Sequence, residues 1–100
     1  MKLFEIDLRV PIEKLEQAIL SACTPHKTGD LSADYDDTYV VVRDYSTNEA
    51  REPRTMAMIR DKLDHVFEVY IWGVPRAQEE IMSDFLKYLD IKEEDVRMKR

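Results

Sequence analysis

A single cysteine, Cys23, leaves no internal disulfide to be made, and a reducing compartment is the simpler setting. The chain is equally short of glycine, with two, and of proline, with four. Such a chain has few sites for phosphate-cradling glycine loops, and it is not a low-complexity segment. No stretch approaches the roughly 20 apolar residues that a membrane-spanning helix needs. The first ten residues, MKLFEIDLRV, alternate with charged residues and lack the pattern of a signal peptide. A cytoplasmic protein is the expectation. No run of lysine and arginine is present either, so direct binding to nucleic acid is not expected.

What the chain does have is acid. Its formal net charge is −6, and 36% of its 100 residues are charged. The first 37 residues carry eight acids against four bases, and residues 38–64 are balanced. An acidic surface favours solubility, and it also steers and orients encounters with a basic partner. The length fits one domain spanning residues 1–100.

Periodicity organises the chain. Phe4, Ile6, Leu8 and Val10 alternate with Glu5, Asp7 and Arg9, the period of a strand covered on one face. Pro11 suits a helix start, and Ile12, Leu15, Ile19 and Ala22 fall on one helical stripe up to Thr24 and Pro25. Residues 24–37 read as a loop. Residues 38–45, TYVVVRDY, read as a strand with Val40 and Val42 on one side and Tyr39, Val41, Arg43 and Tyr45 on the other. Residues 46–52 read as a polar connection. Residues 53–64 fit a helix with Met56, Ile59 and Leu63 inward, a hairpin being the competing reading. Phe67, Val69 and Ile71 alternate with Glu68, Tyr70 and Trp72 in a further strand. Ala77, Ile81, Phe85, Tyr88 and Leu89 recur at helical spacing, and Val96 and Met98 suit a short edge strand.

The expected fold is therefore α/β in the broad sense, an α+β two-layer sandwich. Its order would be ferredoxin-like, β-α-β-(α)-β-α-β, with the helices on one face of a mixed or antiparallel sheet. The other face would present Glu5, Asp7, Arg9, Tyr39, Arg43, Tyr45, Tyr70 and Trp72. Such a face wants a partner or a second copy, unless the helix at 53–64 or the long loop folds over it.

The stretch GDLSADYDDTYVVVRDY, residues 29–45, holds five acids and three tyrosines. Asp30, Ser32, Asp34 and Asp36 have the alternate spacing that opens a calcium-binding loop, but Tyr35 stands where the sharp turn needs glycine, and Val41 where a bidentate glutamate belongs. Cys23 and His26 are at a ligand-like spacing with only His65 to add, too few for a structural zinc site. The same residues lack any local nucleophile motif. No cofactor, metal site or catalytic residue is assigned, and an enzyme is the lesser expectation.

These residues favour a small acidic protein–protein interaction module. It would inhibit or regulate a partner by binding a basic surface, one that could itself hold nucleic acid, so that the module acts as a nucleic-acid mimic. The expected contacts are Asp30, Asp34, Asp36 and Asp37, with Glu79, Glu80 and Asp84 of the last long helix, around packed anchors Tyr45, Tyr70 and Trp72. Two alternatives use the same chain differently. A small metal-dependent phosphodiesterase or nuclease would centre on Asp7 with Asp36 or Asp44, since two-metal chemistry needs clustered carboxylates. A structural subunit of a homo-oligomeric assembly, such as a homodimer, would spend the aromatic face on itself.

Overall fold

The computed structural model describes residues 1–45 and 52–99. The described residues form six strands and two α-helices in the order β1 (Lys2–Asp7), α1 (Ile12–Cys23), β2 (Asp30–Asp36), β3 (Tyr39–Tyr45), β4 (Arg54–Asp61), β5 (Val66–Ile71), α2 (Pro75–Tyr88) and β6 (Arg97–Lys99). The protein is a small α+β domain. All strand pairs are antiparallel, and the sheet order is β2-β3-β4-β5-β1-β6.

The helices form where the apolar stripes predict them. Pro11 caps α1 in an extended conformation, and the Thr24 hydroxyl donates to the Leu20 carbonyl at 2.8 Å where Pro25 stops the helix. Pro75 opens α2, where its missing N–H costs nothing. Leu15, Ala18, Ile19, Ala22 and Cys23 from α1 and Ile81, Met82, Phe85, Leu86 and Leu89 from the α2 region pack on the same sheet face. They meet Phe4 and Ile6 of β1, Val40 and Val42 of β3, Ile59 of β4, and Phe67, Val69 and Ile71 of β5. Tyr88, which shares the helical spacing of Ile81, Phe85 and Leu89, is 56% exposed. Among the described residues no helix is long and apolar enough to cross a membrane.

Two elements differ from the expectation, and both differences enlarge the sheet. Residues 30–36, expected as loop, form the edge strand β2. Aspartate is depleted in strands, which hides the alternation of Leu31, Ala33 and Tyr35 against Asp30, Ser32, Asp34 and Asp36. At an edge those acids protect open hydrogen-bonding groups from another chain. Residues 54–61, expected as helix with a hairpin within 53–64 as the competing reading, form the single strand β4, which joins β5 through a tight turn. Met56 and Ala57 obscured it. The pairing shifts register there, Val42 facing Ala57 and Arg43 facing Thr55, so Met56 is the extra residue of a bulge. Both Met56 and Ala57 are buried on the helix side, which breaks strict alternation and mimics a helical spacing. Leu63, expected inward, sits in the β4–β5 turn at 69% exposure. There Leu63, Asp64 and His65 all take positive φ, and the Asp61 carboxylate accepts from the Leu63 N–H at 2.8 Å. Met98 is exposed rather than inward, and Val96 is half-buried. The strand order accordingly departs from a four-stranded arrangement with an added helix. The polar connection expected at 46–52 lies, apart from Glu52, outside the described residues.

Phe85 is fully buried, its ring 6.2 Å from that of Phe4 across the layer boundary. Truncation there removes the aromatic contact between α2 and β1. Phe85→Ala should lower unfolding free energy by about 3–5 kcal/mol, measured as a shifted urea midpoint with an unchanged slope.

Candidate interaction face

Because both helices lie on one side, the register of the strands decides what the other side presents. Cross-strand partners point to the same face. One row therefore runs Asp36, Tyr39, Arg60, Glu68, Glu5, Arg97 from β2 to β6. The neighbouring row runs Asp34, Val41, Met58, Tyr70, Leu3, Lys99. Trp72, one step past β5, continues the aromatic band by stacking on Tyr70, with ring centroids 6.0 Å apart and planes 13° from parallel. A shallow groove of about 560 Å³ runs across this face between Asp36, Tyr39, Val41, Arg43, Thr55, Met58 and Trp72.

The expected contacts fall into two groups. Asp30, Asp34 and Asp36 share the open face of β2, and Tyr45 stands opposite Asp30. Asp34 accepts from the Ser32 hydroxyl at 3.1 Å and from Arg43 at 3.2 Å. Asp37 occupies the β2–β3 turn at φ 57°, a conformation that aspartate tolerates better than most residues. Tyr70 and Trp72 lie at the middle of the same face. Glu79, Glu80 and Asp84 do not join them. They lie on α2, in the opposite layer. There Glu79 pairs with Lys2, while Glu80 faces His26 Nε2 at 3.4 Å and accepts from Arg76 at 3.1 Å.

The cations that complete the face were missed. Arg60 and Lys62 come from the segment read as a helix, and Arg97 and Lys99 from the tail. They surround a cross-strand pair of like charges, Glu5 and Glu68, each only 7% exposed. Opposed carboxylates repel, and the four cations offset that. Lys99 and Lys62 reach Glu5 at 2.9 and 3.2 Å, and Arg97 reaches it at 3.2 Å. Glu68 is met by Arg60 at 3.5 Å and Lys99 at 3.6 Å. The hydrogen bonds from Lys99 and Lys62 hold the Glu5 carboxyl below its ordinary range, and Glu5 in turn raises Lys99. Burial and the adjacent Glu68 raise the Tyr70 phenol. The β1 end of the face thus carries two sequestered acids under four solvent-facing bases. The β2 end carries three aspartates against Arg43. The only local clue was the alternation of Met58 and Arg60 with Ala57 and Ile59.

Metal and nucleophile readings lose their geometry. In an extended strand, Asp30, Ser32, Asp34 and Asp36 are spaced at about 6.8 Å steps along a line, not wrapped around a point. Asp7 on β1 and Asp36 on β2 are four strand spacings apart, roughly 19 Å, too far for one two-metal site. Among the described residues no three His, Cys, Asp or Glu side chains converge to hold a metal ion. Burial pushes the Cys23 thiol up to about 12, so it stays protonated and inert.

Asp44 faces the helix layer instead and is 2% exposed. Its carboxylate accepts from the Thr28 N–H at 2.7 Å, the Gly29 N–H at 2.8 Å, the Thr28 hydroxyl at 3.0 Å and Arg54 at 2.8 Å. It anchors the chain entering β2, and hence the acidic edge. Burial alone would raise this carboxyl; the donors from Thr28, Arg54 and Gly29 outweigh burial and hold it below its ordinary value. A depressed folded-state pKa contributes stability that is complete above about pH 4 and is lost as pH falls through the folded value. Asp44→Asn should therefore cost about 1.5–3 kcal/mol near neutrality. In thermal melts taken at successively lower pH, the gap between wild type and variant should close on the acid side.

No protein-family model matches this chain, and neither curated proteins nor solved structures give a match, so the face itself has to carry the functional argument.

Proposed function

We propose that this protein is an interaction module that inhibits or regulates another protein, docking through its open sheet face. The observation that carries the reading is the partly exposed band of Tyr39, Met58, Tyr70 and Trp72, with Val41 buried between them, bordered by Asp30, Asp34 and Asp36. Tyrosine, tryptophan and arginine are the side chains that most often anchor protein interfaces. The acidic edge would orient a basic surface onto them, and a partner surface that ordinarily holds nucleic acid would be competed for. Asp37 and Tyr45 extend that edge. Glu79, Glu80 and Asp84 stand outside this footprint and serve as a comparison surface. In the same reading, the frame β1-α1-β2 with β5-α2-β6 is a ferredoxin-like unit, with the hairpin β3–β4 inserted between β2 and β5.

The two carboxylates that meet on this face, Glu5 and Glu68, are sequestered under Arg60, Lys62, Arg97 and Lys99, and a module that acts by occupancy needs no catalytic group. Tagged protein should capture a basic partner from the source organism's extract, with release by high salt and competition by DNA or RNA. Asp34→Lys with Asp36→Lys should weaken capture at least tenfold, and Glu79→Lys with Glu80→Lys should leave it unchanged. Equal capture by the wild type and the β2 variant would refute the assignment of this face.

A further inference from the structure

The two rows on the open face have a property that neither charge nor composition reveals. From β2 to β6 the first row is Asp36, Tyr39, Arg60, Glu68, Glu5, Arg97, and the second is Asp34, Val41, Met58, Tyr70, Leu3, Lys99. Reversed end for end, the second row complements itself throughout, and the first does so at two of its three pairs, the third setting Tyr39 against Glu5. Asp36 comes opposite Arg97 and Arg60 opposite Glu68. Asp34 comes opposite Lys99, Val41 opposite Leu3, and Met58 opposite Tyr70. Reversal of the strand order with height along the strands preserved is what a two-fold axis does when it lies between two stacked sheets, parallel to the strands and centred between β4 and β5. The other in-plane axis, perpendicular to the strands, would set the aspartates of β2 on their own copies.

The geometry points to a second copy of this chain as the occupant of the open face, in a face-to-face dimer with its two-fold axis along the strands. This rests on reading the face as an interaction surface and names what covers it in the free protein. Isologous pairing is the commonest oligomeric arrangement, and it demands this kind of self-complementary patch. Aligned sheets pack about 10 Å apart with strands within about 30° of one another, so rows near the axis stay opposed. Two pairs lie next to the axis, Met58 against Tyr70, apolar and aromatic, and Arg60 against Glu68, ionic, while the edge pairs are ionic. The edge groups are available: Arg97 is 61% exposed, Lys99 37% and Asp34 43% at their side chains. Six strands at about 4.8 Å spacing give a face roughly 25 Å wide and 20 Å tall, so two copies would bury about 1,000 Å² or more, the lower bound for a specific interface. In this arrangement Arg60, Arg97 and Lys99 are shared between Glu5 and Glu68 of their own chain and acidic groups of the second copy.

The test is molar mass in solution across a concentration series, by light scattering and sedimentation. Wild type should move from 11.8 kDa toward twice that mass. Asp34→Lys with Asp36→Lys should self-associate at least tenfold more weakly, and so should Arg97→Asp with Lys99→Asp. An equimolar mixture of the two variants should recover the dimer, because each reversed edge then meets its opposite. Reversal at β6 also disturbs Glu5, so Met58→Arg provides a second probe near the axis that touches none of those ion pairs; folded by circular dichroism, it should be monomeric. A wild type that stays monomeric at every concentration overturns the dimer, as does a folded Met58→Arg variant that associates like wild type. A monomeric wild type whose β2 variant loses partner capture refutes the second copy and leaves the interaction face standing. A dimer rescued by mixing, with no partner captured, supports this inference and refutes the regulatory reading.

Discussion

The structure depends on the pairing of β4 with both of its neighbours. Arg54–Asp61 lies in the middle of the sheet, with β3 on one side and β5 on the other. Without it, β3 and β5 would have no shared strand, and the β2–β3 hairpin would have no place beside the rest. With it, one face takes Ala57 and Ile59 into the core, and the other face takes Met58 and Arg60 into an open surface. The bulge at Met56 lets the strand keep an additional apolar side chain inside. Six strands under two helices leave one broad face uncovered among the described residues, and that is the surface on which function has to be argued.

Three buried acids serve two different ends. Asp44, on the helix side, collects backbone N–H groups and Arg54, so a negative charge is stabilised by directed donors and ties the α1–β2 connection down. Glu5 and Glu68, on the open side, oppose one another and are held by long flexible cations from three different elements. The first arrangement fixes a loop. The second concentrates positive charge at one end of a face whose other end is acidic. A chain of net charge −6 thereby acquires a bipolar surface, a property of spatial order rather than of the total.

Much of the fold was legible where periodicity and propensity agree. Phe4, Ile6, Val40, Val42, Phe67, Val69 and Ile71 declare their strands, and Leu15, Ile19, Ile81 and Phe85 their helices. Legibility failed at β2 and β4, where local preference opposes tertiary placement. Aspartates make an edge strand look like a loop, and a bulge set among methionine and alanine makes a central strand look helical. The candidate site was legible in halves. The aromatics and the β2 aspartates were found because they alternate with core residues or cluster in sequence. Arg60, Lys62, Arg97 and Lys99 were not, because they come from distant segments and are neighbours only through strand pairing.

The sequence by itself determined the two layers, the burial of one sheet face, and the acidity of residues 30–37, since each follows from the spacing of side chains along a single segment. Tertiary structure decided the order of the strands, the membership of 30–36 and 54–61 in the sheet, and the exclusion of Glu79, Glu80 and Asp84 from the face. It also decided the rows that run from aspartate at one edge to lysine and arginine at the other. The reason is physical: a row across a sheet takes one residue from each of six strands, and its composition is set by hydrogen-bonded register between segments up to about a chain length apart, which no local pattern encodes.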